Sequence, residues 1–299
     1  MDRFQAMQVF VTVADRGGFA AAARALALSP PAVTRAVAGL EERLGTRLFR
    51  RTTRSVQLTE SGQRFLLDCR RILADIAEAE DAAAGSHAAP RGELRITAPV
   101  LFGRMFVTPI LTDFLDLYPL VAAQTLFLDR IVNLLDEGLD VAIRIGHLPD
   151  SSLTAIRVGS VRLVTFGTPQ YLHEHGIPRH PDELAAHRLV QSRALAGGTE
   201  WPYHDGGREI AVKVAPRLRM NTNDAVIAAV SCGWGLSRLL SYQVARDVRD
   251  GRLQTVLADF EPPPLPIHIV HQEGRLVSAK LRAFVDFMAE RLRADTSID

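Results

Sequence analysis

The strongest alternation of apolar and polar positions lies in the first 85 residues of the chain. From Arg3 to Arg16, the residues Phe4, Met7, Phe10, Val11 and Ala14 fall on one helical face, and Gly17 and Gly18 let the backbone turn. The stretch Phe19 to Leu44, FAAAARALALSPPAVTRAVAGLEERL, predicts two helices around a tight turn at Ala27 and Leu28. Ser29 is placed to cap the second helix, and Pro30 sits at the first helical position, where its missing N–H costs nothing. Val33, Val37, Leu40 and Leu44 recur at spacings of four, three and four, an apolar stripe that docks on the preceding helix. The opposite face presents Thr34 and Arg35 near its start, with Glu41 and Glu42 further on. This is the layout of a helix-turn-helix whose second helix enters a DNA major groove by its N-terminal end. Many all-α domains also contain two such helices, so the segment that follows matters.

After Gly45 the pattern shortens to a two-stranded wing, with one strand at Phe49 to Arg51, a turn around Thr53 to Ser55 and a return at Val56 to Leu58. Arg50, Arg51 and Arg54 cluster at its tip. Directly after a recognition helix they fit a clamp on the sugar-phosphate backbone or a reach into the minor groove better than a merely solvated surface. Thr59 then caps a long helix in which Gly62, Phe65, Cys69, Ile72, Ile76, Ala79 and Ala83 form a three-four seam, widened by Leu66 and Leu73. Such a helix is roughly 39 Å long at about 1.5 Å per residue. The seam could pack on the chain's own body, yet the GSHAAPRG stretch after it reads as a flexible link, so the seam, with Phe65, Cys69, Ile72, Ile76 and Ala79, is expected to pair with a second copy. Two recognition helices would then stand about 34 Å apart, or a multiple of it.

From Gly92 the rhythm changes to alternating strands and helices. GELRITAP, VAAQTLFL and LDVAIRIG read as strands, with helices at Arg104 to Tyr118 and Ile131 to Glu137. A second block from about Leu163 to Pro266 has strands LVTFG and RLVQS, a hairpin turning at DGG, and helices TPQYLHEHG and NDAVIAAVSCGWGLS. The tail supplies a strand, IHIVHQEG, and a closing amphipathic helix, Lys280 to Arg293. This is an α/β body with a mostly parallel sheet, and such sheets bind ligands beyond the carboxyl ends of their strands.

Composition narrows the classes. Hydrophobic residues are 47% and charged ones 23%, ordinary for a globular protein, and no run reaches the eighteen or so apolar residues of a membrane span. The N-terminus lacks a basic start and a cleavage site, so a cytoplasmic protein is expected. The net charge of +1 conceals an uneven distribution: residues 1–60 hold nine arginines and no lysine against five acids, a balance of +4 that leaves −3 for the remainder. A basic head on a slightly acidic body suits a protein that touches phosphates with one end. The two cysteines, Cys69 and Cys232, form neither a CxxC pair nor a disulfide framework and are expected to be buried small hydrophobes. The histidines lack metal-ligand spacing, since His173 and His175 are two apart on a helix and His268 and His271 three apart on a strand. With no GxSxG, GxxxxGK[ST] or GxGxxG motif, neither enzyme activity nor a metal or cofactor is expected.

Residues 1–85 resemble the N-terminal half of the LysR-type transcriptional regulators. The resemblance is carried by FxxVxxxGGFAAAARAL, by LSPPAVTRAVAGLEERLGTRLFRRTTRSVQLTESG, and by the linker helix. The body resembles the effector-binding region of the same family through RGELRITAPVLFG, DEGLDVAIRIGHLPDSSL, GTPQYL, the Asn221 to Gly235 region and DGRLQTVL. Three positions depart: Pro30 stands where the family commonly has Gln, Thr34 where it often has Ser, and Gly18 where a Ser cap is usual. Loss of the amide removes a base-reading side chain, so operator preference does not carry over.

The resemblance implies a winged helix-turn-helix over residues 1–60, a linker and dimerisation helix over 61–88, and an effector-binding domain over 89–299. That domain is similar to the two-lobed periplasmic-binding-protein fold, with lobe I near 92–162 and 267–299 and lobe II near 163–266. It implies contacts to double-stranded DNA from Ser29, Pro30, Pro31, Thr34, Arg35, Arg50, Arg51 and Arg54. It also implies a small-molecule effector, assembly into dimers and tetramers, and RNA polymerase as a further partner. By position, the effector cleft would be lined by Ala98, Pro99, Val100, Leu101, Phe102, Arg144, Phe166, Trp201 and Asn223. Its apolar character fits an apolar or aromatic effector, with Arg144 able to take a carboxylate. Arg144 fits a bridge at the sheet edge equally, and Trp201 a packing role. The competing readings are an enzyme or solute receptor built on the same two lobes, and an architectural DNA binder, against which the large α/β body argues.

Overall fold

The computed structural model describes residues 2–51, 56–83, 89–148, 153–193, 200–272 and 278–298. They form two compact units, Met1–Ala88 and Ala89–Asp299.

In the first unit, helix α1 (Arg3–Arg16) is capped by Asp2, whose carboxylate accepts the Gln5 N–H at 2.7 Å, and ends on Gly17 in the left-handed conformation. Helices α2 (Phe19–Ala25) and α3 (Pro30–Leu44) follow, joined through Ala27 at φ 52°. The face of α1 is rotated from the expected one. Ala6, Met7, Val9, Phe10 and Val13 are buried, while Phe4, Val11 and Ala14 are only partly so. Along α3 the buried stripe is Val33, Ala36, Val37 and Leu40, and Leu44, expected to complete it, is 41% exposed.

The wing consists of β1 (Phe49–Arg51) and β2 (Val56–Leu58), antiparallel, with Phe49 opposite Leu58 and Arg50 opposite Gln57. Its attachment to α3 corrects the placement of Glu41 on the solvent face. Glu41 is buried, its Oε1 accepts the backbone N–H groups of Leu48 at 2.8 Å and Phe49 at 3.2 Å, and its Oε2 pairs with Arg47 at 3.2 Å. A carboxylate withdrawn from water is costly unless it is hydrogen-bonded in this way. Helix α4 (Glu60–Ala83) starts at Thr59, whose hydroxyl accepts the Gly62 N–H at 3.0 Å. A Cβ at Gly62 would stand 2.1 Å from the Leu48 carbonyl oxygen, so only glycine lets α4 pass this close to the wing.

The second unit opens with β3 (Gly92–Ala98) and a helical run: α5 (Val100–Phe102), a π-helical turn (Gly103–Val107) and α6 (Thr108–Leu117). Strands β4 (Val121–Phe127), β5 (Val141–Ile145) and β6 (Leu153–Val161) follow. Residues 131–137, expected to be helical, make extended chain and turns instead. Val132 and Leu134 pack with Leu139 on Ala142 and Val270, so this segment covers one sheet face as a strap. The chain then builds β7 (Leu163–Gly167), α7 (Pro169–His175), β8 (Val190–Ser192), β9 (Glu200–Asp205), β10 (Arg208–Lys213) and β11 (Leu218–Met220). After these come α8 (Asn223–Ser231), β12 (Ser237–Leu240), α9 (Ser241–Arg249) and β13 (Gln254–Val256), and the chain returns through β14 (Leu265–Gln272) to α10 (Ala279–Arg293).

The larger sheet runs β4-β3-β5-β14-β6. Strands β4, β3 and β5 are parallel, whereas β14 is antiparallel to both its neighbours. The second lobe is more antiparallel than the alternating pattern predicts: β12-β7-β13 is wholly antiparallel, and β8 with β11 forms a separate parallel pair. Ion pair Arg162–Glu261, 2.8 Å, links the two crossovers between the lobes.

Replacing Glu41 by Ala leaves two buried backbone N–H groups without an acceptor, a cost of about 2–3 kcal/mol. Amide exchange of Leu48 and Phe49, followed by mass spectrometry on the full chain, should therefore accelerate by roughly 30–150-fold. Unchanged protection would show that the wing is held by other contacts.

Candidate functional site

Two regions gather the expected functional residues. At the start of α3, Ser29 takes an N-cap conformation, yet its hydroxyl makes no capping bond. The cause is local: Pro30 and Pro31 remove the first two N–H donors, and the next two, from Ala32 and Val33, go to the Ser29 carbonyl at 2.9 and 3.2 Å. The expected side-chain cap is therefore absent, and the exposed hydroxyl stays available at the helix tip. Pro30 and Pro31 are exposed beside it, and the Thr34 hydroxyl donates to the Pro30 carbonyl at 3.0 Å. Arg35 is exposed and makes no ion pair among the described residues.

On the wing, Arg50 is exposed opposite Gln57 while Phe49 is buried on the other face, so the ribbon packs with one side and presents the other. Arg51 belongs to the same strand, and Arg54 lies outside the described residues. Sequence reasoning missed Glu41, the group that fixes the wing against the helix. A charged residue at a stripe position of an amphipathic helix was the available signal.

The seam of α4 divides in two. Cys69 is fully buried and Leu66 nearly so, against α1 of the same chain, with Phe65, Ile72 and Leu73 packed on that core. Phe65 lies 5.4 Å from Phe10, and Arg70 pairs with Asp15. The assignment of Cys69 to a contact with a second copy is corrected, because no part of it reaches the surface. Burial, opposed by Arg3 and reinforced by Asp68, pushes its thiol up to about 12, so it stays protonated. Ile76 lies beyond this core, half-buried, and Ala79 lies in the same helix.

The second region lies at the carboxyl ends of β3 and β5. Ala98, Leu101 and Phe102 are buried, Pro99 is half-buried and Val100 is 38% exposed, its N–H donating to Asp129 at 3.0 Å. Phe102 stacks on Phe106 at 4.7 Å, and the Tyr242 ring meets both edge-on at 5.4 and 5.6 Å. Tyr242 begins α9, in the chain segment of the second lobe, yet its ring lies in the core of the first. Its hydroxyl accepts from the Gln243 amide at 3.1 Å and from the Phe102 backbone, and burial pushes its ionisation well above the usual tyrosine range. Across the same boundary Arg104 pairs with Asp224 at 3.3 Å.

Several residues expected to line an open cleft are walls of the core instead. Phe166 is fully buried within β7, among Val164, Val226 and Val230. Trp201 is buried with Tyr203 and Val212. Ala98, Leu101 and Phe102 belong to the core of the first lobe. Asn223 is buried and accepts the Ser192 hydroxyl at 2.5 Å. Arg144 donates to the Val132 carbonyl at 2.6 Å, which ties it to the strap, and burial lowers its pKa. Cys232, expected to be buried, is exposed at the end of α8. Among the described residues no cluster of three or more His, Cys, Asp or Glu is placed to hold a metal, and no helix is long and apolar enough to cross a membrane.

Comparison with known proteins finds a family match for each of the two units. Residues 4–63 match the bacterial regulatory helix-turn-helix proteins of the lysR family, and residues 87–293 match the LysR substrate binding domain. An HTH-type transcriptional regulator of Xanthomonas campestris pv. campestris is 38% identical over 96% of this chain and 85% of its own length. An HTH-type transcriptional repressor of Pseudomonas aeruginosa is 33% identical over 97% and 92%. The solved structure of CrgA, a LysR-type transcriptional regulator of Neisseria meningitidis, superposes with a TM-score of 0.62 at 30% identity, covering 96% of this chain and 98% of that one.

Arg35 is exposed near the start of α3 and makes no ion pair among the described residues, so the expectation that it reads a base edge can be tested directly. Arg35→Ala should cost about 1–3 kcal/mol at the cognate site and relax preference at one position. Binding titrations on cognate and random duplexes measure it, and equal losses on both would reassign Arg35 to the backbone.

Proposed function

The chain belongs to the LysR family of transcriptional regulators, with a helix-turn-helix DNA-binding domain followed by an effector-binding regulatory domain, and from that premise we propose how its residues share the work. The observation that carries the proposal is the combination of an exposed Arg35 on α3 with an exposed Arg50 on a wing locked to the same helix by Glu41, neither arginine having an ion pair among the described residues. Arg35, with Ser29, Pro30, Pro31 and Thr34 around it, meets the major groove. Arg50, Arg51 and Arg54 meet the backbone or the minor groove beside it. The distal part of the α4 seam, from Ile76 onward, joins two copies, and pairs of dimers make the tetramer. Contact with RNA polymerase belongs to this reading as its output.

A small molecule acts between the lobes, where Val100, Pro99 and Asp129 ring the accessible end of β3 and Asn223 starts α8 on the other side. The apolar Pro99 and Val100 at that end favour an apolar or aromatic effector. The Tyr242 ring, set edge-on against the stacked Phe102 and Phe106, and the Arg104–Asp224 pair belong to one arrangement of the lobes. An effector that prefers another arrangement shifts the population toward it by its difference in affinity. The direct test is a footprint on the DNA upstream of the protein's own coding region, with and without candidate metabolites. Protection that no metabolite alters would remove the effector from the proposal, and absence of protection at low salt would remove the DNA site.

Two further outcomes follow from this assignment. Arg50→Ala should reduce the slope of log affinity against log salt by about 1 on every sequence, as loss of one phosphate contact requires; an unaltered slope dismisses that contact. Ile76→Glu should give monomers in sedimentation while leaving the helix-turn-helix core intact. Ile72→Glu confuses the two effects because Ile72 also packs on that core. A dimeric Ile76→Glu chain would place the interface elsewhere.

A further inference from the structure

One feature of the first lobe serves neither its packing nor the cleft described above. The register places Arg144 of β5 opposite His268 of β14, and His268 opposite Arg157 of β6. Paired residues of neighbouring strands point to the same face, so three basic side chains stand in a row across three strands. Their face is that of Ala142 and Val270, covered by the 131–137 strap, and not that of Ile143, Ile156 and Ile269, which meets the core beneath α10. Burial, then Arg157, then His147 just past β5 depress the His268 pKa, opposed by a hydrogen bond with the Gly146 backbone.

Like charges directly opposite one another destabilise a sheet. Here nothing among the described residues offsets them: no carboxylate lies within ion-pair distance of Arg144, His147, Arg157 or His268. Arg144 is steadied by the Val132 carbonyl alone, and His268 Nδ1 is buried without a hydrogen-bond partner. A β-bulge lies beside the row, where Ile267 opposes Gly159 and Val158 is the additional residue. Bulges of this kind re-aim side chains, and this one brings Arg157 level with His268.

We propose that Arg144, His268 and Arg157 form a seat for a small oxyanion bearing two negative charges, on the strap-covered face of the first lobe and separate from the interlobe cleft. Arg144 is pre-positioned, Arg157 is exposed and gives access from solvent, and His268 supplies the central donor. The imidazole takes up a proton as the anion binds, so affinity rises as pH falls through the bound-state pKa of His268. The site is independent of DNA binding, and its readout needs no duplex.

Sulfate, doubly charged throughout pH 6–8, is the probe for calorimetry on the full chain at constant ionic strength. Saturable binding is expected, about tenfold tighter at pH 6 than at pH 8, with proton uptake visible as a difference between buffers of unlike ionisation enthalpy. Arg157→Gln should weaken binding at least tenfold, and His268→Gln should abolish the pH dependence. Without sulfate, Arg157→Gln should unfold at the same temperature as the parent or above it, since it relieves repulsion; a purely structural Arg157 predicts a lower temperature. No saturable binding, or equal binding by the parent and Arg157→Gln, overturns the site. Should His268→Gln fold poorly, Arg157→Gln and the proton uptake of the parent decide the matter.

Discussion

The carboxylate of Glu41 is the interaction on which the DNA-binding end depends. It is withdrawn from water inside a small domain, and three bonds, two of them to backbone N–H groups at the entrance to β1, offset that burial. Because the acceptor sits on α3 and the donors open the wing, the distance between the two DNA-facing elements is set by one short side chain. Gly62 reinforces the same junction from the other side, where the Leu48 carbonyl leaves no room for a Cβ. The wing is therefore a fixed extension of the recognition helix.

Much of the first unit was legible because its signals are local. Gly17 and Gly45 stop helices in the left-handed conformation, Pro30 starts one, and Thr59 caps another. Glu41 was legible only as a charge at a stripe position of α3; its role was not, since helical periodicity says nothing of N–H groups seven and eight residues away that lack a partner. The same blindness divides the α4 seam: a heptad pattern records that residues are apolar, not whether α1 or a second copy covers them. Cys69 lies in the core against α1, and Ile76 lies beyond that core.

In the second unit strand positions were readable and their surroundings were not. The segment Ile131 to Glu137 has helical spacing, yet two of its apolar residues are needed on the flat face of a sheet, and that tertiary demand overrides propensity. Phe166 and Trp201 sit where a cleft-lining residue would sit in sequence, but an apolar residue near a strand end serves equally as wall or filling. The Tyr242 ring could not have been placed at all from sequence, because it leaves its own lobe to complete the aromatic cluster of the other, a contact of about 0.5–1.5 kcal/mol per ring pair beyond its burial.

The paired prolines at the head of α3 carry a consequence for recognition thermodynamics. Each ring fixes φ in the free chain as well as in the folded one, so the helix tip has little conformational freedom left to surrender. Under the assignment of this tip to the major groove proposed above, the groove meets a rigid template and loses little entropy in docking there. Adjustment to an imperfect operator then falls on the duplex, whose local stiffness becomes part of what the protein distinguishes.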